Sequence, residues 1–390
     1  MPALFTAFLP LLPLMLAVFA GFFPSGMALP VVPRYVHDTL GLGTFFVGLV
    51  MGSQYVSSIL FGRRLAGSTV DGRGPKLAMR LGLLGISVVG GGYFASLAVV
   101  EQPAAAVTLL IAARLVTGVA EGFIITSALA WGIARLGAAH SGKVIGWVGM
   151  ALFAAYGVGA PVGSWVHERF GFAGVAAAAV LVPVVPLALV TLMAGTAPSG
   201  LKRPPFLHVL GLIKLPGLAL TLGSFGYASI NAFIVLLFVG KGWGGAALAF
   251  SALGAGFIVA RLLVGHWPDR HGGAIVGAGF AALQAVGQLL IWLAPGPVLA
   301  CIGAALTGAG YALLFQGFGV EAVRRTPPES RGAAMGGYVV FQDISMGLSG
   351  PLGGWLALQA GVDSVYLAGA IASAGSVALA LWMRRRPVAA

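Results

Sequence analysis

The chain has little charge. Only 8% of its 390 residues are Asp, Glu, Lys or Arg, and 10 acids stand against 22 bases. Soluble domains carry about 25% charged residues, so a water-facing surface of ordinary size is excluded. The single cysteine, Cys301, excludes an intrachain disulfide. The six histidines, at 37, 140, 167, 208, 266 and 271, form no HExxH or Cys/His ligand set, and there is no P-loop. No metal, no cofactor, no enzymatic chemistry and no use of ATP are therefore expected.

What fills the space is apolar. The hydrophobic share is 59% and the mean hydropathy is +0.99, which makes lipid the solvent. The 61 glycines suit a membrane protein, because small residues let spanning helices approach closely. The start, MPALFTAFLPLLPLMLAVFAGFF, has no Lys or Arg before its apolar run and no convincing cleavage site. It reads as a first spanning helix rather than a signal peptide.

A span needs about 20 apolar residues. Cutting at charged or Pro/Gly-rich breaks gives twelve: 5–33, 44–66, 77–100, 104–132, 142–165, 172–195, 217–240, 246–267, 273–294, 298–323, 332–358 and 363–383. The fold class is thus an all-α membrane protein. Residues 1–195 form a first six-helix bundle, 196–216 (with Lys202, Arg203, Pro204, Pro205 and Lys214) a cytoplasmic linker, and 217–390 a second bundle.

Eighteen basic residues fall in one alternating set of loops, and three (Arg34, Arg169 and Lys241) in the other; Arg114 lies inside a span. That asymmetry puts the first set and both termini in the cytoplasm. The net charge of +12 is then a topology signal, and no nucleic-acid partner is needed to explain it.

The halves repeat. Gly142, Gly146, Pro161, Gly163 and Trp165 recur 190 positions on as Gly332, Gly336, Pro351, Gly353 and Trp355, and Thr117-Gly118 recurs as Thr307-Gly308. Asp71 and Asp269 are 198 apart. Matched Pro, Trp and Asp point to a transporter built from two related halves.

The scarce charges gather in two short stretches, GSTVDGRGPK (67–76) and GHWPDRHGG (265–273). These loops resemble the signature G-x-x-x-D-R-x-G-[RG]-[RK] of the major facilitator superfamily. Gly265, Asp269, Arg270, Gly272 and Gly273 match it well; Gly67, Asp71, Gly74 and Lys76 match it less fully, with Gly72 and Pro75 where the family often has Arg. Arg114-x-x-x-Gly118 resembles the family's span-4 motif. GFIITSALAWG (122–132) and HSGKVIGWVGMA (140–151) resemble a bacterial branch of the YhhS/YfcJ type, sometimes labelled as sugar or drug efflux proteins. The resemblance implies a twelve-helix fold of two pseudo-symmetric halves working by alternating access.

A helix N-terminus carries partial positive charge and free N–H groups. Asp71 docking at the start of span 11, near Gly332, and Asp269 at the start of span 5, near Gly142, would latch the halves while the cytoplasmic side is closed. The plainer alternative is a pair of solvated basic loops.

Ionisable groups deep in a span are costly and are functional candidates by default. Arg114 and Glu121 are seven apart on span 4 and share a helix face, separated by about 10 Å; Asp343 lies about 16 Å into span 11. Burial favours a neutral carboxyl and a nearby guanidinium favours a charged one, so a carboxylate that changes partners can carry a proton. The alternative is a permanent ion pair. Asp38 pairs with Arg34 or sits at a cavity mouth. Glu321 and Arg325 read as a helix salt bridge.

Polar stripes mark the expected substrate cavity: Gln54 and Ser58 on span 2, Ser224, Tyr227 and Asn231 on span 7, Thr307 and Tyr311 on span 10. Gln284 and Gln288 read as internal glue. GVGAPVGSW (157–165) resembles the family's antiporter motif through Gly159, Pro161 and Gly163, with Ala160 and Ser164 departing from it; its glycines are expected to pack on span 8. The motif favours export. The sequence therefore reads as a proton-coupled exporter of a small organic molecule in a bacterial inner membrane, multi-pass and monomeric, with substrate, protons and the bilayer as its partners. Proton-coupled uptake of a sugar or metabolite, and a non-transporting receptor, are the alternatives.

Overall fold

The computed structural model describes residues 11–137, 141–198, 210–327 and 331–384. Lys202, Arg203, Pro204 and Pro205 of the linker, the first residues of span 1, and Arg385 and Arg386 lie outside them. Among the described residues the chain is helical, without strands.

The helices are α1 (Leu12–Arg34), running into a π-helical turn at Tyr35–Thr39; α2 (Thr44–Ser57), a π segment at Ser58–Gly62, and α3 (Arg63–Arg73); α4 (Pro75–Ala98); α5 (Pro103–Leu136); α6 (Ser141–Leu181); and α7 (Val184–Leu192). The second series is α8 (Lys214–Gly240), α9 (Ala246–Val264), the short α10 (Trp267–His271), α11 (Gly273–Trp292), α12 (Pro297–Arg324), α13 (Arg331–Ala360) and α14 (Asp363–Arg384). Among the described residues ten helices are long and apolar enough to cross a membrane. One of them, Val144–Leu192, is 49 residues long and breaks at Gly171, whose φ of 63° is not helical. α13, interrupted by Asp343 and rich in glycine, is not among the ten. The twelve spans read from the sequence are therefore counted differently by hydropathy and by helix breaks.

Helix ends follow local rules. Pro75, Pro103 and Pro297 open α4, α5 and α12, where proline loses no hydrogen bond. Gly137, at φ 84°, closes α5 by donating its N–H to Ile133 O, a left-handed cap that suits glycine.

The chain divides into two compact units: Met1–Leu42 with Ser53–Leu201, and Gly43–Gly52 with Lys202–Ala390. In the first, α1, α4, α5 and α6 meet through Leu14, Val18, Phe22, Met79, Leu83, Ile124, Trp131 and Val148. In the second, Gln284 of α11 donates to Gly223 O of α8 and to Ser373 Oγ of α14, so a polar side chain ties three helices in the expected manner. Residues 43–52 join this unit by backbone approach: Gly48 meets Gly350, and Thr44 Oγ1 donates to Gly354 O at 3.0 Å. Large apolar side chains face outward, among them Leu192, Val298 and Leu263. Such a surface needs lipid around it.

Candidate functional site

The first unit buries a cation on α5, with a half-buried carboxylate two turns along. Arg114 is 1% exposed on a helix whose other buried faces are apolar or small. Its guanidinium is within hydrogen-bonding reach of the Tyr93 side chain of α4 and within electrostatic reach of Glu121 and of Tyr55 on α2. Glu121 accepts a 2.6 Å hydrogen bond from Ser25 Oγ of α1. Four helices thus converge on one cation and one carboxylate. The alternation of Ala113, Arg114, Thr117, Gly118 and Ala120 on the buried face of α5 explains the convergence, because small residues let neighbours come close enough to reach the charges.

Gly118 is the hinge of this packing. A Cβ there would collide with Gln54 O of α2. Beside it, Ser57 Oγ donates to Leu115 O at 2.6 Å and to Gln54 O at 2.9 Å, and the π segment 58–62 lies against α5, with Gly118 O 3.1 Å from where a Gly62 Cβ would stand. A π segment holds one extra residue in a helix. The sequence offset records it: Gly118 meets Gln54, while Gly308, 190 on, meets Leu253, which is 199 on from Gln54. Beyond the segment the offset returns to 198, from Asp71 to Asp269.

Of the expected cavity residues, Gln54 is buried, and its Oε1 has no hydrogen-bond donor among the described residues. Ser58 is buried at the start of the π segment. In the second unit Tyr227 and Tyr311 stack at 4.5 Å and 11°, with Ser224 Oγ 3.4 Å from the Tyr311 hydroxyl. Asn231, one turn beyond Tyr227, is buried, and its Oδ1 likewise finds no donor among the described residues. Thr307 does not join them. Its hydroxyl accepts from Gln288 Nε2 of α11 at 3.1 Å and donates to Gly303 O, so it belongs to helix packing rather than to the tyrosine stack. Asp343 is 5% exposed on α13. Asp38 is surface-exposed and pairs locally, with Arg34 at 3.7 Å and His37 at 3.0 Å. Glu321 is buried at the end of α12 and pairs with Arg325 at 2.8 Å.

The two signature loops adopt one conformation. Gly74 sits at φ 89°, ψ 158° between α3 and α4, and Gly272 at φ 90°, ψ 138° between α10 and α11. Both values favour glycine. Lys76 has a local role that the sequence reading missed: its Nζ donates to Thr191 O at 2.8 Å and Met193 O at 2.7 Å, and Arg135 donates to Ala194 O at 3.0 Å. Cations at the last carbonyls of a helix satisfy them and its dipole. In the second loop Arg261 bonds Gln316 Oε1 at 2.8 Å and feels Asp269 electrostatically, while Gln316 Nε2 donates to Gly265 O at 2.7 Å. Asp269 therefore faces a cation of its own unit.

The family can now be named. The model of the Major Facilitator Superfamily matches residues 14–273 and 217–390. The chain belongs to this superfamily. An uncharacterised transporter of the superfamily from Pseudomonas aeruginosa (strain LESB58) is 40% identical over 368 residues, covering 94% of this chain and 91% of the relative. One from Burkholderia pseudomallei (strain 1106a) is 39% identical over 361 residues, covering 93% and 88%. Among solved structures, a D-xylose-proton symporter superposes with a TM-score of 0.75 at 16% identity, covering 96% of each chain. The human organic anion transporter MFSD10 (TETRAN) gives 0.71 at 15%, covering 95% of this chain and 98% of that one. The protein is a membrane transporter with the superfamily's fold.

Against that superfamily, the span-5 motif needs one correction. Gly159 and Gly163 were expected against span 8, but they face α1: a Cβ at Gly159 would stand 2.8 Å from Phe23 O, and one at Gly163 would strike Met27. Their second-unit counterpart behaves alike, since Gly353 packs on Phe233 of α8. The sequence shows which residues are small, and it does not show which neighbour they admit. Tyr93 and Ser25 were missed for a related reason. A tyrosine or serine among apolar residues looks like core until a charge is placed beside it.

Proposed function

We propose that the protein exports a small organic molecule in exchange for protons, by alternating access. The observation that carries this reading is the cluster of buried Arg114 with Tyr93 and Tyr55, and half-buried Glu121 with Ser25, on four helices of the first unit. A carboxylate that accepts from a hydroxyl and shares a helix face with a guanidinium can gain a proton when its partner is drawn away, and release it on return. Glu121 is the proposed carrier, with Asp343 as the alternative and Asp38 after it. Gln54 and Ser58 of the first unit and Tyr227, Asn231 and Tyr311 of the second are proposed for the substrate; within the second unit the stacked tyrosines suit a partly planar molecule. Asp71 and Asp269 are proposed as latches. The span-5 motif and the resemblance to an efflux branch favour export.

The chain is proposed to act as a monomer in a bacterial inner membrane, with both termini in the cytoplasm. Uptake by proton symport is the second reading, favoured by the likeness to a D-xylose-proton symporter.

Proteoliposomes loaded with a pH dye and challenged with a compound panel test the coupling. A compound gradient is expected to drive proton movement of opposite direction through the wild-type protein. Movement in the same direction would support symport, and no proton movement with any transported compound would overturn the coupling. For the latch, Asp269→Asn is expected to shift distance labels across the cytoplasmic mouth toward the open form. An unchanged distribution would leave Asp269 as a partner of Arg261 only.

A further inference from the structure

The second unit carries an apolar groove of about 520 Å³ along α10 and α11, lined by Trp267, His271, Ile275, Gly279, Phe280 and Leu283. Five of these residues recur every fourth position, so the groove is one stripe running from the charged loop down α11. Its charged end is built: the Trp267 ring stands edge-on to His271 at 5.7 Å and to Phe280 at 6.1 Å, and His271 Nδ1 lies 3.3 Å from Trp267 O. Arg270, the residue before His271 in the chain, is exposed, while the neighbouring acid, Asp269, is countered by Arg261. Its apolar end is open because Gly279 has no side chain; a Cβ there would meet nothing within 4 Å.

The repeat sharpens the point. At the 198-residue offset that equates Gly74 with Gly272, Gly279 corresponds to Leu81 and Trp267 to Thr69. The first unit thus has an outward leucine, 43% exposed, where the second has a gap, and a small polar residue where the second has an indole.

We infer that this groove binds one anionic phospholipid, with an acyl chain along Ile275, Gly279 and Leu283 and the phosphodiester headgroup at Arg270 and the Trp267 N–H. Tryptophan belongs at the headgroup level of a bilayer, a guanidinium matches a phosphate, and an open apolar stripe in a spanning helix needs a chain to fill it. The site is independent of what is transported and of the direction of transport.

The test is native mass spectrometry of the purified full chain given an equimolar mixture of dioleoyl phosphatidylglycerol and dioleoyl phosphatidylcholine. One basic side chain at a membrane surface favours an anionic lipid by about fivefold, so the wild type is expected to retain one phosphatidylglycerol with at least that preference. Gly279→Leu, which copies the first unit, is expected to abolish the retained lipid. Arg270→Gln should keep a bound lipid but lose the preference. Trp267→Ala, at an exposed position, is the second variant and should also release the lipid if Gly279→Leu fails to fold. Equal retention of the two lipids by the wild type, or undiminished retention by a folded Gly279→Leu or Trp267→Ala protein, would overturn the site.

Discussion

Gly118 and Gly308 occupy matching places in the two units, each admitting the backbone of a neighbouring helix, Gln54 O in one case and Leu253 O in the other. One turn to either side the units part. Where the first has Arg114 and Glu121, the second has Ala304 and Tyr311; where the first has Gln54, the second has Leu253. The shared framework is one of small residues, and at these matched positions the charge is confined to one copy. Packing in such a protein is duplicated, but chemistry need not be. A second Arg and Glu at these positions would add their own desolvation cost.

The largest expected effect comes from erasing that asymmetry. Arg114→Ala, which gives the first unit the second unit's residue, should bring transport in proteoliposomes to the protein-free background. It should also destabilise the fold by about 2 kcal/mol, since it removes a buried guanidinium that the Tyr93 side chain and the half-buried Glu121 both engage; a thermal unfolding curve in detergent measures this. Arg114→Lys should keep the fold and still impair transport, because an ammonium cannot bridge partners as a planar fork does. Retained activity in both variants would remove Arg114 from the mechanism.

Next in size is Glu121→Gln, which keeps the Ser25 contact and removes the titratable group. Substrate exchange should persist while substrate-driven proton movement disappears. Asp343→Asn is the matching test in the second unit, and full coupling in both variants would place the proton elsewhere.

The loops should respond equally. Gly74→Ala and Gly272→Ala each force a side chain into a left-handed backbone, at a cost of about 1–2 kcal/mol. Similar drops in unfolding temperature are expected from the two; a large inequality would mean that the loops are not equivalent. The smallest expected effect is at the matched threonines. Thr307→Val removes the acceptor for Gln288 Nε2 and should cost about 1 kcal/mol. Thr117→Val loses only a bond to Ala113 O within its own helix and should be close to neutral.

Much of this framework is legible in the sequence. Apolar runs mark the helices, and the paired Pro161 and Pro351 mark the repeat, because membrane helices must satisfy their own backbones. Arg114, Glu121 and Asp343 stand out because charge is scarce. What is not legible is set by three-dimensional approach. Ser25 gains meaning only when α1 brings it to Glu121, Thr307 turns to Gln288 rather than to Tyr311, and Lys76 spends its charge on the end of α7. That residues 43–52 group with the second unit follows from glycine meeting glycine, which no spacing announces.

The π segment at 58–62 can be read as history. Two copies of one six-helix ancestor begin in register, and a span that gains or loses one codon outside any loop must either unravel or store the difference inside the helix. Here the 199-to-198 change of offset is stored as one wider turn. An extra residue left in a regular helix would turn everything after it by about 100° around the axis; held in the wider turn, it leaves the residues from Arg63 to Arg73 facing as their sister copy does. One small genetic event is therefore absorbed on the spot, and Asp71 stays equivalent to Asp269, with Gly74 and Gly272 in the same backbone conformation.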